Sequence, residues 1–246
     1  MSRPPAARLD RLLANLGYGS RREVQRLIAA GEVVLDGEPL HDPGARLPVT
    51  ADLAERMRIG GGLLDPPAPL TLILHKPLGV VCSHREPGRS VYELLPPRWR
   101  RRDPALSSIG RLDLDTSGLL LITDDGPFLH KVIAPKSHVA KRYHVTLARP
   151  LQGHEGGLFA AGTLILEGDA DALAPAILGP LSPTTCHLTV IEGRYHQVRR
   201  MFAAAGNHVA HLRRDRIGGL DLPGDLPPGA FRILSQAERA AAFPAG

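Results

Sequence analysis

Cysteine is nearly absent from this 246-residue chain: only Cys82 and Cys186 occur, far apart and in no Cys-x-x-Cys pair. Such usage excludes a disulfide framework and offers no zinc-ligand spacing. A reducing cytoplasmic setting is the expected compartment. Aromatic residues make up 4% of the chain, so the core has to rest on Leu, Val, Ile and Ala. Long apolar runs are also missing; residues 70–74 (LTLIL) and 118–122 (GLLLI) have strand length and are too short to span a membrane. The opening MSRPPAARLDRLL lacks the apolar stretch of a signal peptide. With 43% hydrophobic residues, wholesale disorder is excluded. What the chain does have is a basic excess: 30 Lys and Arg against 25 Asp and Glu, net charge +5, compatible with a polyanionic partner. A soluble monomer is expected.

Periodicity gives the outline. Leu9, Leu12, Leu13 and Leu16 recur at helical spacing, and Gly17 and Gly19 break that helix. Ser20 followed by Glu23 fits a capping box, with Val24, Leu27 and Ile28 continuing an apolar stripe and Gly31 as the residue after the helix. Val33–Leu35 reads as a short strand and Asp36-Gly37 as a turn. Residues 60–69 (GGGLLDPPAP) read as a linker. Beyond it the strand candidates are residues 71–75, 80–82, 118–123, 143–147, 163–167 and 186–192. A helix is expected over 195–205, a basic loop around Trp99, and a turn with a helix cap at Asp124-Asp125-Gly126. The fold class is therefore α/β (α+β), with domains expected at 1–59 and 70–236, a linker at 60–69 and a tail at 237–246.

Charge is concentrated in two zones. Residues 1–26 hold six Arg against Asp10 and Glu23, and residues 194–216 hold six more against Asp215. Arginine pairs bidentately with phosphate, so two such zones fit a salt-dependent, backbone-directed affinity for nucleic acid. The stretch RLDRLLANLGYGSRREVQRLIAAGEVVLDG resembles an S4 domain, a small RNA-binding module, over roughly residues 8–50. Asp36 stands where many members carry Asn. The resemblance implies Arg8, Arg21, Arg22 and Arg26 as RNA contacts.

Three segments carry the chemistry. In GRLDLDTSGLLL a charged, hydroxyl-rich loop precedes an apolar strand, an arrangement that holds a functional group on a rigid element. Lys141-Arg142-Tyr143 precedes another strand. EGRYHQVRRMF leaves a strand and enters a basic helix, where His196, Arg199 and Arg200 share a face by spacing. Spacing alone favours ordinary polar loops and packing residues at each place. Taken in order, however, the three segments resemble the pseudouridine synthases of the RsuA/RluA superfamily, over about residues 70–233, and with the S4-like unit in front the RsuA-type branch.

That resemblance implies a catalytic domain on a large mixed, mainly antiparallel sheet, and isomerisation of a uridine in ribosomal RNA without metal or cofactor. It gives Asp113 the catalytic carboxylate, Tyr143 the stacking on the flipped uracil, and Arg199 the guanidinium paired with Asp113. Arg111 and Thr116 carry over as nucleotide contacts, with Lys141, Arg194, Gln197 and Arg200 as further RNA contacts. Asp115 is expected to be structural; in an extended segment it would share a face with Asp113. Members acting on large-subunit rRNA tend to carry Asn-Arg at Tyr195-His196, so small-subunit rRNA is the expected substrate and large-subunit rRNA the alternative. His75 stands where the family usually has Asn. Two other classes compete. An N-glycosidase would use Asp113 and Asp115 as a pair, at a spacing that suits glycoside hydrolysis poorly. A non-catalytic RNA-binding assembly factor would keep the fold without the chemistry.

Overall fold

A computed structural model describes residues 4–83 and 86–243; Arg3 of the first basic zone and the last three residues of the tail lie outside them. The chain divides into two compact units.

The first unit holds β1 (Ala6–Arg8), α1 (Leu9–Asn15), α2 (Arg21–Ala29), β2 (Val33–Leu35), β3 (Glu38–Pro39), β4 (Arg46–Pro48), α3 (Leu53–Arg56), β5 (Met57–Ile59) and β6 (Gly62–Leu63). The capping box at α2 forms as expected: Ser20 accepts from Glu23 N, and the Glu23 carboxylate accepts from Ser20 N. Asp36 and Gly37 both take positive φ in the β2–β3 turn. Leu9, Leu13, Val24, Ile28, Val33 and Met57 are fully buried between the two helices and the small sheet.

Residues 60–69 are not a free linker. Gly60 and Gly61 take positive φ and close a hairpin in which β6 pairs with β5. Leu64 is buried, and the Asp65 carboxylate accepts from the Arg98 guanidinium. Leu95–Ser107 and Thr123–Asp125 belong to this same unit. The basic segment around Trp99 is a short 3-10 helix, with Trp99 buried and Arg98 stacked over the Tyr18 ring. Asp124 forms a buried ion pair with Arg102 at 2.9 Å, and its other oxygen accepts from Leu70 N. Its carboxylate thus serves a buried pair instead of capping the next helix.

The second unit is built on a nine-stranded mixed sheet. Its elements are β7 (Thr71–Lys76), β8 (Ser107–Ile109), β9 (Thr116–Thr123), α4 (Gly126–Ile133), β10 (Lys141–Leu147), α5 (Glu155–Ala160), β11 (Ile177–Ser182), β12 (Thr185–Val190), α6 (Gln197–Ala204), β13 (Val209–Ile217), β14 (Leu220–Asp221), β15 (Phe231–Ile233) and α7 (Gln236–Ala241). The main path runs β11-β12-β10-β13-β9-β7-β15, with β8 on β9 and β14 on β13. β13 and β9 are parallel; β10 is antiparallel to both β12 and β13. β9 is buried along nearly its whole length, which its apolar run dictates for a central strand. One core gathers Val145, Leu188, Phe159, Met201 and Phe202 under α5 and α6; a second gathers Ile73, Leu119, Leu121, Phe128 and Leu234 near α4 and α7.

Two expected strands do not form. Residues 80–82 make a single bridge, Val81 to Ser90. Residues 163–167 are irregular: Leu166 is buried and Leu164 packs on the same core while Ile165 is exposed, so that apolar run docks by two side chains without forming a strand. Conversely, β13 lies within the second basic zone, where charge hid a strand whose Val209, Leu212, Arg214 and Ile217 are buried.

Candidate active site

The GRLD segment reaches the sheet through a turn. Thr116 N donates to Asp113 O at 3.1 Å, and Leu114 and Asp115 form the corner. The turn sends neighbouring carboxylates in different directions. Asp113 lines a cleft of about 660 Å³ in the second unit. Asp115 instead lies against a smaller cavity with Ser117, His144, His211 and Arg213. The expected shared face of Asp113 and Asp115 is therefore not formed, because a turn replaces the extended segment. The paired-carboxylate arrangement that a glycosidase reading needs loses its geometry with it.

The expected Arg199–Asp113 ion pair is not made either. Arg199 binds the Asp115 carboxylate at 2.9 Å and donates to Asp115 O and Val209 O, both at 3.0 Å. Those three acceptors fix the guanidinium behind the turn that presents Asp113. The group that meets Asp113 is His196, whose Nε2 lies 3.5 Å from Oδ1. His196 precedes α6 with φ 49°, a left-handed conformation uncommon for a non-glycine residue. Its ring stacks on Tyr195 at 3.9 Å between centroids, and Tyr195 is 76% exposed. The helical face expected for His196, Arg199 and Arg200 is absent, since His196 stands outside the helix.

Tyr143 on β10 lines the cleft and packs on the core under α6. Lys141 and Thr116 line the same cleft, as do Arg111 and the segment Glu192–Val198. Arg111 pairs with Glu86 at the rim. Burial, and then the neighbouring Arg214, push the Lys141 ammonium below its usual range. Lys76 is fully buried, its Nζ donating to Pro77 O and Thr116 O. Its burial also lowers it, against the pull of Cys82, Asp113 and Asp115. Arg214, on β13, is a cleft residue that sequence reasoning missed. Its signal was its phase: it alternates with Leu212 on the inward side of a strand that reads as a basic zone.

Three expected RNA contacts are occupied within the protein. Arg194 pairs with Asp169 and Glu192 and donates to the carbonyls of Asp171 and Ala172. Arg200 pairs with Asp169 and donates to Glu167 O. Gln197 is buried and bridges Arg194 N and Glu192. The two arginines clamp the 167–172 loop, whose acceptors replace phosphate as their partners, and Gln197 braces the Arg194 backbone. In the first unit Arg8 is held bidentately by Asp10. Arg21, Arg22 and Arg26 are exposed, with no side-chain partner among the described residues. His75 Nδ1–H donates to Leu226 O at 2.8 Å.

The mixed sheet of the second unit presents Asp113, Tyr143, Lys141 and the buried Arg214 to one cleft, and comparison with known proteins makes the class an RNA-modifying isomerase. The chain belongs to the RNA pseudouridylate synthase family, which residues 71–204 match, and residues 7–53 match the S4 domain. It is 41% identical over 234 residues to the ribosomal small subunit pseudouridine synthase A of Escherichia coli (strain K12), covering 94% of this chain and 97% of that protein. An uncharacterized RNA pseudouridine synthase of Bacillus subtilis (strain 168) is 37% identical, covering 94% and 96%. A crystal structure of a pseudouridylate synthase aligns with TM-score 0.68 and 34% identity over 96% of this chain and 99% of that one.

Proposed function

We propose that this pseudouridine synthase isomerises one uridine of small-subunit ribosomal RNA, with Asp113 acting at the ribose. The observation that carries the reading is convergence: Asp113 and Thr116 from one segment and Lys141 and Tyr143 from another line one cleft. The small-subunit assignment follows the substrate named for the Escherichia coli relative, similar over nearly the full length.

The reaction replaces the N1–C1′ bond of uridine with a C5–C1′ bond. The target base has to leave its stack, at a cost of a few kcal/mol. Tyr143 offers its ring to the extruded uracil. Asp113 either attacks C1′ as a nucleophile or removes the C2′ proton as a base. In both routes the N1–C1′ electron pair departs with the base. C5 then bonds to C1′, as the Asp113–C1′ bond breaks in the first route or C2′ regains its proton from Asp113 in the second; the C5 proton is lost and N1 gains one. No electron acceptor or phosphate donor enters this balance. Arg199 contributes by fixing the turn that carries Asp113, and Arg21, Arg22 and Arg26 supply phosphate contacts. Turnover in the cytoplasm by a monomer fits this reading.

Small-subunit rRNA labelled with tritium at uracil C5 tests it. Tritium release by the wild type and none by Asp113→Ala is the expected result, with large-subunit rRNA inert in parallel. Release only from large-subunit rRNA would overturn the substrate. Release undiminished in Asp113→Ala would overturn the role of Asp113. Failure on either RNA, free or in partly assembled subunits, would favour an RNA-binding assembly factor.

A further inference from the structure

Two polar atoms in the cleft residues are sealed from solvent and have no hydrogen-bond partner among the described residues: Arg214 Nη2 and Thr116 Oγ1. Arg214 is 3% exposed and Thr116 is 1% exposed, and both line the cleft that holds Asp113 and Tyr143. The remainder of each residue is pinned. Arg214 Nε donates to Leu119 O at 2.9 Å, and Thr116 O accepts from the buried Lys76. The parallel pairing sets Leu212 opposite Thr116 and Arg214 opposite Gly118. Alternation along the two strands therefore puts both side chains on one face of the sheet. A buried polar group left unmatched is destabilising, and its retention calls for a missing partner.

The donor set describes that partner. A guanidinium only donates, whereas a hydroxyl also accepts. The imide edge of uracil carries an N3–H between two carbonyl oxygens. Cytosine replaces one carbonyl with an amine and leaves N3 bare, so it would set donor against donor at the guanidinium. We propose that Arg214 and Thr116 hold the imide edge of the target uracil, with Arg214 donating to O4 and Thr116 Oγ1 accepting from N3–H. Arg214 then carries the negative charge that the base acquires as N1–C1′ breaks. The electron pair of that bond spreads onto O2 and O4, and returns to the C5–C1′ bond as C5 loses its proton. This inference rests on the cleft being the uridine site.

Single-turnover kinetics separate such a role from a purely structural one. The RNA carries uridine or 5-fluorouridine at the position the wild type modifies, and N1–C1′ cleavage is read as loss of the target nucleoside. Fluorine makes the departing base more acidic and less dependent on external stabilisation. R214M is expected to slow uridine cleavage at saturating RNA by about a hundredfold or more, as loss of an oxyanion donor does. The same variant should slow 5-fluorouridine by roughly tenfold less, with Kd for RNA unchanged within about threefold. T116V is expected to slow uridine cleavage and to narrow the preference for uridine over cytidine in competition binding. Equal slowing on both bases would overturn the proposal. So would a weakened Kd with a salt slope smaller by about one, which marks a phosphate contact. If R214M fails to fold, R214K carries the same comparison, and the same equal slowing would sink it. Absence of pseudouridine with the wild type would instead overturn the functional reading itself.

Discussion

At the scale of residues, identity and direction separate. Asp113 and Asp115 are alike in chemistry and two positions apart, yet they serve different cavities because Leu114 and Asp115 form a turn. Asp113 was legible through its motif. The partner of Arg199 was not, because choosing between two carboxylates requires the path of the backbone. Arg199→Lys offers one amine for three acceptors now met by the fork of the guanidinium. Single-turnover rates are expected to fall by roughly tenfold to a hundredfold in Arg199→Lys and in Asp115→Asn, through displacement of the turn. The double variant should be no slower than the slower single one, since the two substitutions disrupt the same Arg199–Asp115 ion pair. Additive losses would mean that Arg199 acts elsewhere. His196 escaped prediction for the same reason as Arg199: its approach to Asp113 depends on a left-handed φ that no periodicity announces.

Elements show which sequence signals are strong. Capping boxes at Ser20/Glu23 and Ser235/Glu238 form from local pattern alone. The Arg232 guanidinium, with Ser235 N, holds the Glu238 carboxyl down at about 2. A depressed carboxylate contributes stability that is full above its unfolded value and is lost as pH falls through the folded one. Glu238→Gln should therefore melt lower than the wild type at neutral pH, with the gap closing between about pH 4.5 and 2 in a series of thermal melts. A gap independent of pH would overturn that assignment. The contact between β9 and β13 depends on Gly118, at φ +112°: a Cβ there would stand 2.1 Å from Arg214 O. Gly118→Ala is expected to cost at least ~3 kcal/mol in denaturant unfolding, because backbone on both sides must move. A cost below ~1 kcal/mol would show that the two strands can part freely. Residues 163–167 teach the opposite lesson, since an apolar run that docks on the core through Leu164 and Leu166 stays irregular.

For the whole molecule, the even spread of arginine over two zones concealed an uneven division of labour. In the second zone Arg194, Arg199 and Arg200 are held by Asp169, Asp115 and backbone carbonyls, whereas in the first Arg21, Arg22 and Arg26 remain exposed. R21E/R22E is expected to weaken rRNA binding, and to reduce the slope of log affinity against log salt by about one per lost phosphate contact. The rate at saturating RNA should stay the same. An unchanged slope would remove the first zone from the RNA interface. No helix among the described residues is long and apolar enough to cross a membrane. The sequence by itself determined the two-part organisation, the mixed α+β class, the S4-like unit and the Asp113 motif. Each depends on local periodicity, turn chemistry or a contiguous run of residues. Tertiary structure alone decided that Leu95–Ser107 joins the first unit, that residues 60–69 are tied down, and that Arg214 and Thr116 face one cleft. Those outcomes depend on which distant strands and loops become neighbours, and long-range pairing is set by the burial of the whole chain.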